Sequence, residues 1–246
     1  MKFTRAIRRA VVGATTTAVV VTGVIAATAT SASAVTCRAY TTIAVRGTND
    51  GARASSGTQL PTAVSAFAAR KGSANVTKDY VSYQATFNYA VSMSEGRAAL
   101  RTKLNSYLSG CPKTKVALFG YSQGAHIVGD VVVGLTSTQR ARIQGVGLIG
   151  DPMLNPTFGS SKTADRVHGG MWGRRASWPT GVFVYNVCNK KDQVCASYST
   201  AQSTGYLAGA AVGGAKEHLT YTSSTYSPIA GYSGASLIGR HVADRA

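Results

Sequence analysis

Lys115 to Leu135 constrains this chain more than any other stretch. Lys115-Val116-Ala117-Leu118-Phe119 is a short apolar run of strand length. From Gln123 to Leu135 the residues Ile127, Val128, Val131, Val132 and Leu135 recur at the spacing of one helix face. Between the two stands Gly120-Tyr121-Ser122-Gln123-Gly124, a Gly-x-Ser-x-Gly pattern at a strand-to-helix junction. In that setting the serine is expected in a strained turn at the carboxyl end of a sheet, with a helix N-terminus beneath it to favour developing negative charge. A side chain at Gly120 or Gly124 would collide with neighbouring backbone. With 27 glycines in 246 residues the bare pattern arises easily by chance, and a glycine-rich turn is the plainer alternative. The flanking strand and helix favour a nucleophile.

Residues 1–34 read as a signal peptide. Lys2, Arg5, Arg8 and Arg9 form a basic head, Val11 to Ala29 a short Thr-rich apolar stretch, and Ala32-Ser33-Ala34 a small-residue cleavage pattern. No stop-transfer charges follow, so stable membrane insertion is not expected. The pair Arg8-Arg9 leaves the export route open between the general and the twin-arginine pathways. The mature part, residues 35–246, is long enough for one sizeable core and too short for two ordinary domains. Without the four basic head residues, 22 Lys and Arg remain against nine acids, a net charge of +13. Such a charge favours acidic surfaces. No basic-and-aromatic cluster accompanies it, so a solvated cationic surface is expected rather than a nucleic-acid partner.

All four cysteines, Cys37, Cys111, Cys188 and Cys195, lie in the mature part. An even count in an exported chain points to two disulfides, with three possible connectivities. Cys188 with Cys195 is the natural local pair, leaving Cys37 with Cys111. A zinc site is the alternative, but Cys-x6-Cys without a second cluster has poor ligand spacing.

Strands are expected at Tyr40–Val45, Tyr80–Ala85, Lys115–Phe119, Ile143–Ile149 and Val182–Val187. Helices are expected at Gln59–Lys71, Ser94–Leu108, Gln123–Leu135 and Ser233–Asp244, and an irregular Gly- and Arg-rich connection over Phe158–Pro179. In the first helix Leu60, Val64, Phe67 and Ala68 share a face; in the second, Ala98, Leu100, Leu104 and Leu108 are expected inward. The alternation implies a three-layer α/β fold with a mostly parallel sheet. Chemistry in such sheets gathers at the carboxyl ends of the strands, where the Thr48, Ser122, Asp151 and Asp192 loops emerge.

A serine hydroxyl needs a base, and the base an anionic partner. His126 follows Ser122 by four residues on the same helix, His168 falls in the irregular connection and His241 on the closing helix. His218, in a loop after the last strand, fits the chain order serine, acid, histidine. Two acids compete for it: Asp151, which ends a strand but precedes Pro152, and Asp192, inside the Cys188 to Cys195 loop. Asp192 is preferred because a bridge there would hold its carboxylate with little entropy left to lose. Asp165 is a distant third.

Arg46-Gly47-Thr48, Gly120-Tyr121-Ser122-Gln123-Gly124, Cys188-x3-Asp192-x2-Cys195 and His218-Leu219-x-Tyr221 together resemble the cutinase family, across nearly all of the mature chain. The resemblance implies a small lid-less α/β-hydrolase that cleaves ester bonds of cutin-like polyester or lipidic substrates. It implies the triad Ser122, His218 and Asp192, and the disulfides Cys37–Cys111 and Cys188–Cys195. It also implies an oxyanion hole from Gln123 and Thr48. No cofactor or metal is expected, and the chain should be a secreted monomer acting on an ester substrate. Acetylated xylan or short soluble esters are the alternative substrates, and a non-catalytic cationic surface-binding protein is the rival of another class. Two departures from the family pattern are visible. Lys191 stands where glycine is common, which should force another backbone path, and Tyr83-Gln84-Ala85 replaces Tyr-Pro-Ala.

Overall fold

A computed structural model describes residues 35–50, 59–157, 161–162, 169–189, 191–196 and 216–245. The proposed signal peptide, Asp165 and His168 lie outside them. In chain order the elements are β1 (Tyr40–Val45), α1 (Gln59–Lys71), β2 (Val76–Tyr80), α2 (Tyr89–Gly110), β3 (Lys115–Tyr121), α3 (Gln123–Val133) and α4 (Ser137–Arg140). They continue with β4 (Ile143–Ile149), β5 (Ser161–Lys162), β6 (Val184–Val187), α5 (Lys216–Leu219) and α6 (Gly234–Asp244). The strands form one parallel sheet in the order β2-β1-β3-β4-β6-β5.

Strand residues alternate between two cores. Ile43, Val45, Val116, Leu118, Val146 and Leu148 meet Met93, Leu100, Ile127, Val128 and Val131 of α2 and α3. Ala44, Ala117, Phe119, Ile149 and Val187 meet Leu60, Val64, Phe67, Leu237 and Ile238 of α1 and α6 on the other face. Both faces of the sheet are covered, which is why the central strands read as unbroken apolar runs. Each fully buried Leu or Ile contributes about 2 kcal/mol of transfer free energy. The bridge Cys37–Cys111 ties the strand-side start of the domain to the end of α2. In the loop-entropy picture its 74-residue separation makes it worth about 4.5 kcal/mol.

Several expectations change; the third helix, for one, ends at Val133 rather than Leu135, and a two-residue strand, Ser161–Lys162, interrupts the connection expected to be irregular. The second strand is Val76–Tyr80, not Tyr80–Ala85: Thr77, Lys78 and Asp79 occupy the edge strand, where one side meets solvent and polar residues are tolerated. The second helix begins at Tyr89, and its buried face is Ser92, Met93, Gly96, Leu100, Leu104 and Tyr107; Ala98 is exposed. The last strand starts at Val184, two residues later than expected. His218 sits on α5, a single helical turn, rather than in a loop.

Candidate active site

The serine corner is as tight as its glycines require. A Cβ on Gly120 would lie 2.5 Å from Gly124 O, and one on Gly124 only 1.9 Å from Val45 O. Ser122 adopts φ 53°, ψ −122°, a backbone state that L-residues rarely occupy and one that marks a functional turn. Its amide donates to Ile149 O at 2.9 Å, which pins the corner to the end of β4.

The turn after β1 lies directly against it. A Cβ on Gly47 would be 3.1 Å from Ser122 Cβ, so the turn that carries Thr48 starts beside the serine. The turn is held from beneath. Asn49 N donates to Ala85 O at 2.8 Å, and Arg46 Nη2 donates to the carbonyls of Tyr83 and Gln84. The Tyr83 hydroxyl bridges Arg46 O (2.6 Å) and Gln123 Oε1 (3.2 Å), while Gln123 Nε2 donates to Thr86 O at 3.3 Å. The Gln123 side chain is therefore spent on fixing two loops, which leaves its backbone amide, at the first position of α3, as the group suited to an oxyanion.

His218 and Asp192 meet. Nδ1 of His218 is 2.8 Å from Asp192 Oδ2, with His218 6% exposed and Asp192 fully buried. The imidazole stacks on Tyr121 (centroids 5.1 Å apart, 25° between planes), and the Tyr121 hydroxyl donates to His218 O at 2.8 Å. Gly150 follows the strand that receives the Ser122 amide, and a Cβ there would be 2.9 Å from His218 Cε1. The imidazole thus lies between the residue before Ser122 and the end of the neighbouring strand. Asp192 is held at both oxygens: Oδ1 accepts from Val194 N at 2.8 Å, and Oδ2 also accepts from the Tyr221 hydroxyl at 2.5 Å.

Cys188–Cys195 and Cys37–Cys111 are the two disulfides. Cys188, Asp192 and Cys195 bring their ligand-type atoms within 4.8 Å of one another. Both sulfurs are consumed by the bridge, so the trio offers a metal a single carboxylate. Lys191 takes φ 66°, the left-handed conformation that glycine would adopt. The lysine takes on the strain that this conformation costs a residue with a side chain.

The competing residues have other partners. Asp151, 1% exposed, accepts from Met153 N at 2.9 Å and faces Arg175 at 3.8 Å. Burial raises its pKa. His126 bonds the Tyr89 hydroxyl through Nδ1 at 3.0 Å and lies 3.6 Å from Asp130 through Nε2; burial lowers its pKa. His241 stacks on Tyr185. Sequence reasoning missed Asp50, which shares the Thr48 turn and interacts electrostatically with His218. Burial lifts its carboxyl to about 6, against the opposing pull of Arg46, the Gly47 backbone and His218.

A family model described as Cutinase matches residues 36–232. The chain belongs to the cutinase family. Acetylxylan esterase 2 of Talaromyces purpureogenus is 31% identical over 130 residues, covering 46% of this chain and 55% of that protein. A cutinase of Botryotinia fuckeliana is 33% identical over 132 residues, covering 52% and 64%. The chain thus spans between about half and just under two thirds of the length of these curated relatives. Among solved structures, an acetylxylan esterase superposes with TM-score 0.58 at 25% identity, over 70% of this chain and 92% of that one. A cutinase-like protein from Cryptococcus sp. shares the fold with TM-score 0.62 at 23% identity, over 86% and 95%. The cutinase-like α/β-hydrolase architecture expected from the sequence is the one observed.

Proposed function

We propose that this cutinase-family chain is an exported serine ester hydrolase. Ser122 is its nucleophile, His218 its general base and Asp192 the carboxylate behind the base. The buried 2.8 Å contact between His218 and Asp192, set beside the strained serine corner, carries the reading. Ser122 Oγ attacks the ester carbonyl while the ring nitrogen of His218 that Asp192 does not occupy takes the proton. The tetrahedral oxyanion is received by the Gln123 amide and by Thr48, and the proton passes to the departing alcohol. Water, activated by the same imidazole, then releases the acyl group.

The surroundings suit a carbon-rich ester. Phe87, next to the Thr86 carbonyl that Gln123 holds, is exposed, and so is Leu219, directly after His218. Two disulfides support an oxidising compartment, in keeping with the signal-like residues 1–34. Among the described residues no helix is long and apolar enough to cross a membrane. A monomer that acts without nucleic acid fits these features. Both cutin-like polyesters and acetylated xylan remain in view as substrates, since cutinases and an acetylxylan esterase are among the relatives.

A fluorophosphonate probe should label Ser122 in the parent and nothing in Ser122→Ala, which should also lose p-nitrophenyl acetate hydrolysis. Parental turnover in Ser122→Ala would refute the reading. Rates on p-nitrophenyl acetate, butyrate and palmitate, beside acetyl release from xylan and hydroxy-acid release from cutin, then assign the substrate.

A further inference from the structure

Tyr221 does more than fill the core. Its ring is fully buried, edge-on to both Tyr121 and His218 with centroids 6.2 Å from each. Its hydroxyl has three polar neighbours. Asn189 N is 3.1 Å away, Cys195 Sγ 3.3 Å, and Asp192 Oδ2 2.5 Å. The hydrogen positions follow from valence. Asn189 N–H must donate to the phenol oxygen, the bridged sulfur carries no proton, and an ionised carboxylate only accepts. The single phenolic hydrogen therefore points at Asp192 Oδ2, the same oxygen that receives Nδ1–H of His218.

We propose that Tyr221 is a positioning residue for the reaction, setting both the orientation and the effective charge of Asp192. This rests on the triad reading given above. The bond acts in two ways. With Val194 N holding Oδ1 and Tyr221 holding Oδ2, the carboxylate cannot turn about its Cβ–Cγ axis, so the acceptor stays aimed at the imidazole. A charge-assisted hydrogen bond also draws electron density from Oδ2, so the carboxylate stabilises the imidazolium less than an unbonded one would. Removing the phenol oxygen should slow the chemical step by freeing the carboxylate to turn, and should move the acid limb of the pH–rate curve upward by leaving more charge on Oδ2. Among the described residues, Asp50 from the β1 turn interacts electrostatically with His218 and Tyr121 from β3 stacks on its ring, while the Tyr221 hydroxyl is the side chain that donates to Asp192 Oδ2 beside it. Burial, followed by the charge of Asp192, raises the pKa of Tyr221, so it remains a donor through the working range.

Tyr221→Phe keeps the ring and deletes only the oxygen. Steady-state kinetics on p-nitrophenyl acetate should show kcat lower by about tenfold, KM within about twofold, and the acid limb of kcat/KM higher by about half a pH unit. The same substitution made in Asp192→Asn should cost less than about twofold further, because the interaction it deletes is already gone. Thermal melts of all four proteins accompany the rates. An unchanged kcat and acid limb in Tyr221→Phe would overturn the proposal. So would an equal tenfold loss in both backgrounds, which would assign the effect to packing of the disulfide loop. Parental rates in Ser122→Ala or Asp192→Asn would instead overturn the triad reading itself.

Discussion

Two aspartate–histidine pairs flank the serine corner, and they are built to opposite ends. In the pair Asp192–His218 the carboxylate's other partners among the described residues are uncharged: the Val194 amide and the Tyr221 hydroxyl. The pair Asp130–His126 is crowded with cations. Arg175 Nη1 lies 2.8 Å from one oxygen of Asp130 and Arg97 Nη1 3.0 Å from the other, while the imidazole stands off at 3.6 Å. Burial of Asp130 works to raise its pKa. The hydrogen bonds from Arg175 and Arg97 and the charges of His126 and Arg175 outweigh burial and hold the carboxyl below its ordinary range. A carboxylate whose charge is already balanced by guanidinium groups has little left with which to polarise an imidazole. The first pair is left with its charge for the chemistry proposed above, and the second spends it on structure. Arg175 enters the second cluster only because position 129 is glycine, where a Cβ would lie 2.3 Å from the guanidinium carbon. From there it also reaches Asp151 and the His126 carbonyl, fastening the irregular connection to α3.

Removing charge from each carboxylate is the strongest test of this contrast. Asp192→Asn should lower kcat on p-nitrophenyl acetate by roughly 10⁴-fold, whereas Asp130→Asn should leave it within about threefold. Losses of equal size would erase the distinction. Stability should respond in the reverse sense. Arg175→Met strips a buried guanidinium from two carboxylates and should cost about 3 kcal/mol in urea unfolding, with kcat changed far less than in Asp192→Asn. His126→Ala tests the imidazoles: labelling of Ser122 by a fluorophosphonate should persist, while His218→Ala should abolish it.

The smallest effect concerns Asp50. Its folded pKa, about 6, stands above the ordinary value of 3.8, so between these values the folded chain holds a proton that the unfolded chain has lost. Its contribution to stability is therefore full below about 3.8 and declines as pH rises through about 6. Asp50→Asn should melt a few degrees above the parent at pH 7, and the two should converge near pH 4 in parallel calorimetric scans. A gain of the same size at both pH values would remove titration as its cause.

What the sequence made legible were features with a period or a spacing. β1, β4 and α1 appear with the expected bounds because apolar runs and helical stripes need only local reading. Ser122, Asp192 and His218 could be proposed because a glycine-framed corner, a cysteine-framed loop and a chain order each leave a trace. What stayed hidden depends on the partner. β2 is an edge strand, so its polar residues concealed it, and α5 is too short to have a period. Arg175 read as one more arginine in a basic connection, although it is 6% exposed and chosen by a glycine 46 positions earlier. Tyr221 was visible as part of a motif, but nothing in its neighbours along the chain says where its hydroxyl points.

Cys188 and Cys195 enclose Asp192 in a seven-residue span, and the sulfur of Cys195 touches the phenol that steadies the carboxylate. Opening that ring would return about 2.5 kcal/mol of conformational freedom to the very segment that aims the acid. On the proposed triad reading, reducing this bridge would slacken the acid behind the imidazole while leaving the serine corner in place.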